Sequence, residues 1–486
     1  MKRKLALAAL ILLIVQSLTA ARAGAQGLSH LERADVQFTV EVPVDTRIYI
    51  NLAYRAHHVD GKARSFAFYD ERGLVYSNCT SEDSPSDFYV TAIPLHKGTN
   101  CFAFTGEHLE FSLSSDSYVC SVLREFIIRS PKALLNLILC NLGMEGTLDF
   151  SGCTALRALD LDGNRLTGIR LAHCVGLEAV SLCRNRLSEI DLSDCHGLRI
   201  VELGGNLLTS LDLSHCSHLQ YLYSSDNRLS EVNLSGCAEL KTLYLDDNRL
   251  REVDLSDCSG LRSIDICRNR LSSIDLSRCT KLLLLFLAGN GLSEIAFGRC
   301  DSLHLMDLKD NCLSELDLRQ TGALLDLFVS GNRLKELDLS GCPLLESVDY
   351  GNNVLRSVKM PHSRVLIRDA GSNLMAFSQF TPGLYGWYVD VKNPEEQRTF
   401  QMKADEESLC KTGTWDFTAE LTANAEAGST EFRFQKDGHD YVPQREGNVF
   451  RFEAGGSYSV WLTNPHYPLL RFFAGFSVPE PPGADR

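Results

Sequence analysis

The chain has 486 residues, 44% of them hydrophobic, with 48 Lys+Arg against 62 Asp+Glu and a net charge of −14. That length exceeds one ordinary core, so several folded units are expected. The acidic balance runs along the whole chain, which argues against nucleic acid or anionic lipid as the main partner and favours a soluble protein.

Residues 1–25 read as a secretory signal. MKRK is a basic start, an apolar run follows from Leu5 to Leu18, and small residues allow cleavage after Ala23 or Ala25. The apolar run falls short of the ~20 residues that cross a bilayer. The mature chain is therefore expected outside the membrane, either extracellular, at the cell surface, or periplasmic.

Residues 28–132 alternate apolar and polar side chains (VQFTVEV, RIYINLAY, SFAFYD, FYVTAI) between turn signals such as Asp60-Gly61, the pattern of a small β domain. Cys79 and Cys101 in it are the expected disulfide partners of an exported domain, with Cys120 as a rival. His57, His58 and Asp60 do not suggest a metal site, because adjacent side chains on a strand face opposite ways.

Residues 133–362 repeat with a period of 21. Asparagine falls at 164, 185, 206, 227, 248, 269, 290, 311, 332 and 353, with leucine eight residues before and two after each one. The unit L-x-x-L-x-L-x-x-N-x-L followed by x-x-L-D-L-S-x-C-x-x is the leucine-rich-repeat signature in a short form. The paired leucines of x-L-x-L-x point to one side of a short strand, so they are buried only when coils stack into a solenoid with a parallel sheet. Asparagine, with a donor and an acceptor on a short stem, can satisfy the inward-turning backbone of its own coil and the next. Cysteine recurs at 174, 195, 216, 237, 258, 279, 300 and 342, with Cys153 before them and Thr321 as a substitution. Coils about 4.8 Å apart with parallel side chains fit neither a disulfide nor a tetrahedral metal site, so buried free thiols are expected. A degenerate first coil starts near Leu135, with Gly143 where the asparagine should be, and Ser224 departs from the apolar rule.

Residues 363–480 return to short alternating strands (TEFRFQKDGHDYVP, NVFRFEAGG, SYSVWLTN), and residues 481–486 read as a frayed tail. The expected fold class is mainly β: about eleven short coils flanked by two small β domains.

The repeat resembles that of internalin-like leucine-rich-repeat proteins of the Bacteroidetes type. The run STEFRFQKDGHDYVPQREGNVFRFEAGGSYSVWLTNPHYPLL is similar to the immunoglobulin-like module that follows such repeats. This resemblance implies a surface or secreted recognition protein, an adhesin in its mode of action, without naming a ligand. No H-E-x-x-H, G-x-S-x-G or phosphate loop occurs, and neither enzyme activity, cofactor nor metal is expected.

The outward positions of the leucine strand are not dictated by the core. Four residues before each asparagine stand Asp160, Ser181, Glu202, Tyr223, Tyr244, Asp265, Phe286, Asp307, Phe328 and Asp349, with Tyr221 beside them. Exposed aromatics on a sheet either pack across strands or bind something. The sequence favours Tyr221, Tyr223, Tyr244, Asp265, Phe286, Asp307, Phe328 and Asp349 as a surface, on the concave sheet, for a protein or glycan. The alternative is a structural spacer or scaffold that presents the terminal domains. The recurrent Asp191, Asp212, Asp254, Asp275, Asp317 and Asp338 read as a solvated outer surface.

Overall fold

The structure is a computed structural model. It describes strands between residues 36 and 114, the chain from 134 to 361, residues 365–369 and 373, and most of 398–418 and 430–479. The expected signal segment, His57, His58, Asp60 and Cys120 lie outside the described residues. Two compact units, Met1–Gly260 and Leu261–Arg486, make up the chain.

In the first unit, Leu134–Cys140, Ala158–Asp160, Ala179–Ser181, Ile200–Glu202, Tyr221–Tyr223 and Thr242–Tyr244 are successive strands of one sheet, those from Leu134 to Tyr244 paired in parallel. The pairing advances by one repeat per strand: Leu159 opposes Val180, Val201 opposes Leu222, and Leu222 opposes Leu243. Those middle residues are buried, and the residues on either side are mostly half-exposed. In the second unit the same pairing joins Ser263–Asp265, Leu284–Phe286, Leu305–Asp307, Asp326–Phe328, Ser347–Asp349 and Leu366–Asp369. Shorter pairs such as Ser210–Asp212 with Glu231–Asn233, and Glu336–Asp338 with Ser357–Lys359, form on the second half of the repeat. About eleven coils of 21 residues result, with leucines and cysteines of nearly zero exposure as their core.

The asparagines do the work expected of them, with one change of direction: they reach back to the preceding coil rather than forward. Asn248 accepts from Leu229 N at 2.9 Å and donates to Ser224 O at 2.9 Å and to Leu245 O at 3.0 Å. Asn206 repeats this with Leu187 N, Leu182 O and Leu203 O. Immediately before each asparagine the backbone is left-handed, as at Gly205 (φ 70°), Asp226 (φ 54°) and Asp247 (φ 53°). Glycine, aspartate and asparagine tolerate that conformation, which explains their prevalence there; Arg184 and Arg268 adopt it too. Ser224, wholly buried, is accounted for as well, because Asn227 Nδ2 lies 3.4 Å from its hydroxyl.

The ladder cysteines are free and buried. Their thiols lean on carbonyls of the preceding coil, as Cys174 Sγ does on Phe150 O at 3.2 Å and Cys237 Sγ on Leu213 O at 3.5 Å. Burial pushes Cys195 and Cys216 up to about 12. Thr321 fills its place in the ladder by donating to Leu318 O at 2.9 Å. The outer aspartates are more than a solvated surface: Asp191, Asp275 and Asp338 each accept the backbone N–H two residues on, at 2.8–3.0 Å, and so close the turn into the cysteine.

At the N-terminal end the strands of 36–114 divide between two sheets. Val36–Val42, Gly98–Thr105, Arg64–Asp70 and Gly73–Thr80 form one antiparallel sheet. Tyr89–Leu95, Ile48–Ala56 and Leu109–Ser114 instead extend the solenoid sheet, the last pairing in parallel with Leu134–Cys140. The side chains of Cys79 and Cys101, the expected disulfide partners, lie outside what the structure describes. Cys79 opposes Ser65 and Cys101 opposes Tyr69, on the two strands flanking Arg64–Asp70.

Beyond the expected end of the repeats at 362, the pattern continues for one more turn. Asn373, fully buried, accepts from Leu355 N and donates to Tyr350 O, both at 3.1 Å. The C-terminal strands form a five-stranded sheet (Arg398–Gln401, Leu470–Ser477, Ser457–Thr463, Glu431–Lys436, His439–Tyr441) and a three-stranded one (Thr414–Asp416, Val449–Arg451, Gln444–Glu446), with a helix at Glu406–Thr412. Trp415, Phe417, Phe434, Phe450, Phe452 and Phe476 make their aromatic core.

Candidate functional site

The candidate residues stand on the outward face of the leucine strands because their neighbours, one residue to either side along the strand, face the core. In the first unit, Tyr221, Tyr223 and Tyr244 are half-exposed. Register places Tyr223 opposite Tyr244, and the two rings meet edge to face with centroids 5.3 Å apart and planes at 84°. Lys241 Nζ lies 6.0 Å from the Tyr221 ring and 2.7 Å from Gln220 Oε1. The three tyrosines are thus one patch.

In the second unit the alternation of acid and aromatic is realised strand by strand. Asp265 opposes Phe286, Phe286 opposes Asp307, Asp307 opposes Phe328, and Phe328 opposes Asp349. The acids also have local duties, since Asp265 Oδ1 accepts from Cys267 N and Asp307 Oδ1 from Lys309 N, both at 3.1 Å. Burial raises the Asp307 carboxyl above its usual range. Phe328 carries two cations, Lys309 Nζ at 4.4 Å and the Arg368 guanidinium at 5.4 Å from its ring centre. Those cations also face carboxylates, Lys309 towards Asp349 at 3.7 Å and Arg368 towards Asp326 at 3.6 Å. Lys309, Asp326 and Arg368 were missed from sequence because they occupy positions flanking the selected row.

A second group on the first unit was also missed. Asp160, Asp162, Ser181, Cys183 and Glu202 converge from three consecutive coils. Ser181 Oγ lies 2.8 Å from Asp162 Oδ1 and 3.0 Å from Glu202 Oε2, while Asp162 Oδ1 accepts from Cys183 N at 2.7 Å. Burial, then Asp162, pushes the Asp160 carboxyl up to about 6; it also accepts from the Cys140 thiol at 3.0 Å. Burial, with Asp162 and Glu202 adding to it, pushes Cys183 up to about 12. The chemical signal was present in Asp162 and Cys183, two residues before their asparagines, but only stacking brings them together.

Repeating 21-residue coils, an inward asparagine in each, and a parallel sheet of buried leucines define the architecture. The chain folds as a leucine-rich-repeat solenoid. No family model matches the sequence, and no curated protein matches it. Among solved structures it is similar to the functional domain of InlJ from Listeria monocytogenes, described as including a cysteine ladder. Identity there is 19%, coverage 76% of this chain and 93% of that one, and TM-score 0.45. It is similar also to the leucine-rich effector YopM from Yersinia pestis, at 22% identity over 44% of this chain and 68% of that one, with TM-score 0.37. A third is an octameric complex of Latrophilin 3, Unc5D and the FLRT2 repeats, at 20% identity over 46% and 69%, with TM-score 0.34. Among the described residues no helix is long and apolar enough to cross a membrane.

Proposed function

We propose that this is an exported, non-enzymatic recognition protein that binds a protein or glycan on the outward face of its leucine strands, the concave face of the solenoid. The observation that supports it is the row itself. Tyr221, Tyr223, Tyr244, Phe286 and Phe328 stay half-exposed at positions whose identity the core does not dictate. Large aromatics in such places anchor contacts, and the interleaved Asp265, Asp307 and Asp349 supply acceptors that set orientation. In this reading residues 1–25 are a signal peptide, 28–132 and 363–480 are β domains flanking the repeats, the second of them immunoglobulin-like, and the protein is internalin-like in the Bacteroidetes manner. Nothing in the reading needs a cofactor, a nucleic acid or membrane insertion of the mature chain.

A second reading, a spacer or scaffold, is favoured by the internal satisfaction of parts of the row: the edge-to-face Tyr223–Tyr244 pair and the cations on Phe328. The two separate by mutation. With a ligand isolated on the intact chain, alanine at Phe286 or Phe328 should weaken binding by about 1 kcal/mol or more each, and alanine at Asp254 or Asp275 should not. Affinity that follows the outer aspartates, or survives removal of the repeats, selects the spacer.

A further inference from the structure

We propose that Asp162, Cys183 and Glu202 form a binding site for a borderline-soft divalent cation of the zinc class. One ligand atom of each, two carboxylate oxygens and a thiol sulfur, lies within 4.8 Å of the others. A tetrahedral zinc ion holds its donors about 3.5 Å apart, so closure needs only small side-chain rotations. Carboxylates alone would suit many ions. A thiolate among them selects against magnesium and calcium and towards zinc.

The coil geometry assembles the set. Asp162 and Cys183 occupy the same position in successive coils, and Glu202 comes from the outward row of the third, two residues earlier in its repeat. Cys183 N holds Asp162 in place, and Ser181 lies within hydrogen-bond distance of both carboxylates. Gly204 takes the equivalent position in the third coil. Its backbone N–H is directed at the Cys183 thiol, a contact that favours the thiolate, and a Cβ there would stand 3.9 Å from Cys183 Sγ, at ordinary contact distance. All three ligand residues are half-buried: close enough to the core to be ordered and open enough for an ion to enter. This distinguishes them from the ladder cysteines, which are sealed and stacked in a straight row. Binding replaces the thiol proton by the metal, Cys–SH + M²⁺ giving Cys–S–M⁺ + H⁺, with no change of oxidation state. Three protein donors leave a fourth position for water or an acidic group of a ligand. The inference stands apart from the aromatic recognition surface, and either can fail alone.

The test uses the full chain, reduced with a phosphine and stripped with a chelator, titrated with Co²⁺ and then Zn²⁺. One Co²⁺ per chain should bind with a near-ultraviolet thiolate-to-cobalt charge-transfer band, which Zn²⁺ abolishes. Cys183→Ser should lose the band, Glu202→Gln should weaken binding about tenfold or more, and Cys410→Ser, at an exposed thiol far along the sequence, should change neither. Should a variant fold poorly, alkylation of the wild type mapped by mass spectrometry gives the same answer: Zn²⁺ should protect Cys183 and leave Cys410 reactive. Absence of the band, its persistence in Cys183→Ser, or equal alkylation of Cys183 with and without Zn²⁺ overturns the proposal.

Discussion

Replacing Asn248 by leucine isolates the device that closes each coil. The asparagine is 7% exposed and joins two coils through Leu229 N, Ser224 O and Leu245 O. Leucine matches its volume approximately but offers no polar atom, so the substitution strands a buried N–H and weakens two buried carbonyls. At roughly 1–3 kcal/mol for an unsatisfied buried group, the amide alone accounts for the lower bound, and the three together give a loss of about 2–5 kcal/mol. For a domain of this size that corresponds to a fall of roughly 5–15 °C in Tm. The neighbouring Arg249 is exposed, and Arg249→Ala should change stability by less than about 0.5 kcal/mol. Urea unfolding followed by circular dichroism, with both variants beside the wild type, measures the contrast. Equal midpoints for Asn248→Leu and Arg249→Ala would refute the inward-turn argument.

Gly205→Ala tests the left-handed residue: the added Cβ would meet nothing closer than 3.5 Å, so the expected loss of about 1–2 kcal/mol is backbone strain, and an unchanged midpoint speaks against it. Asp160→Asn, in chelated protein, tests the acidic knot. Because its carboxyl is raised in the fold to about 6, the wild type gains stability as pH falls from 6 towards 4 and bears the ionised charge above 6. The variant should therefore be more stable by about 1–2 kcal/mol at pH 7.5 and nearly equal to wild type at pH 4, and the opposite pH order would contradict the assignment. Among described thiols, exposed Cys410 should react with Ellman's reagent at pH 8 in the native protein, while Cys195 and Cys216, sealed in the core with no exposed surface, remain unreactive until unfolding. Equal labelling rates by mass mapping would show that the ladder is open.

Much of the fold was legible because a strict period constrains every coil at once. Leu159, Leu222 and Leu285 could be placed inside from spacing alone, and the stacked thiols followed from strand geometry. Asn373 escaped because it stands 20 residues after Asn353, where the register shifts between Val348 and Asp349. The extension of the solenoid sheet by Leu109–Ser114 was hidden because alternation identifies a strand but not its partner. The row of candidate residues was legible as outward-facing, but its chemistry was only half so. That Asp265 and Asp307 would hold their own turns, or that Arg368 would reach Phe328 from the additional turn that Asn373 closes, depends on distances that periodicity does not encode.

The claim that the leucine-strand face is the recognition surface is tested most directly by site-specific photocrosslinking on the intact chain. A benzophenone amino acid at position 286, on the outward row, is compared with the same group at position 275, on the second half of the repeat, with partners taken from the native surroundings and identified by mass spectrometry. The account predicts a discrete partner captured from position 286 and lost on adding Phe328→Ala, with none from position 275. Capture from position 275 alone, or capture from position 286 that ignores Phe328→Ala, would contradict it.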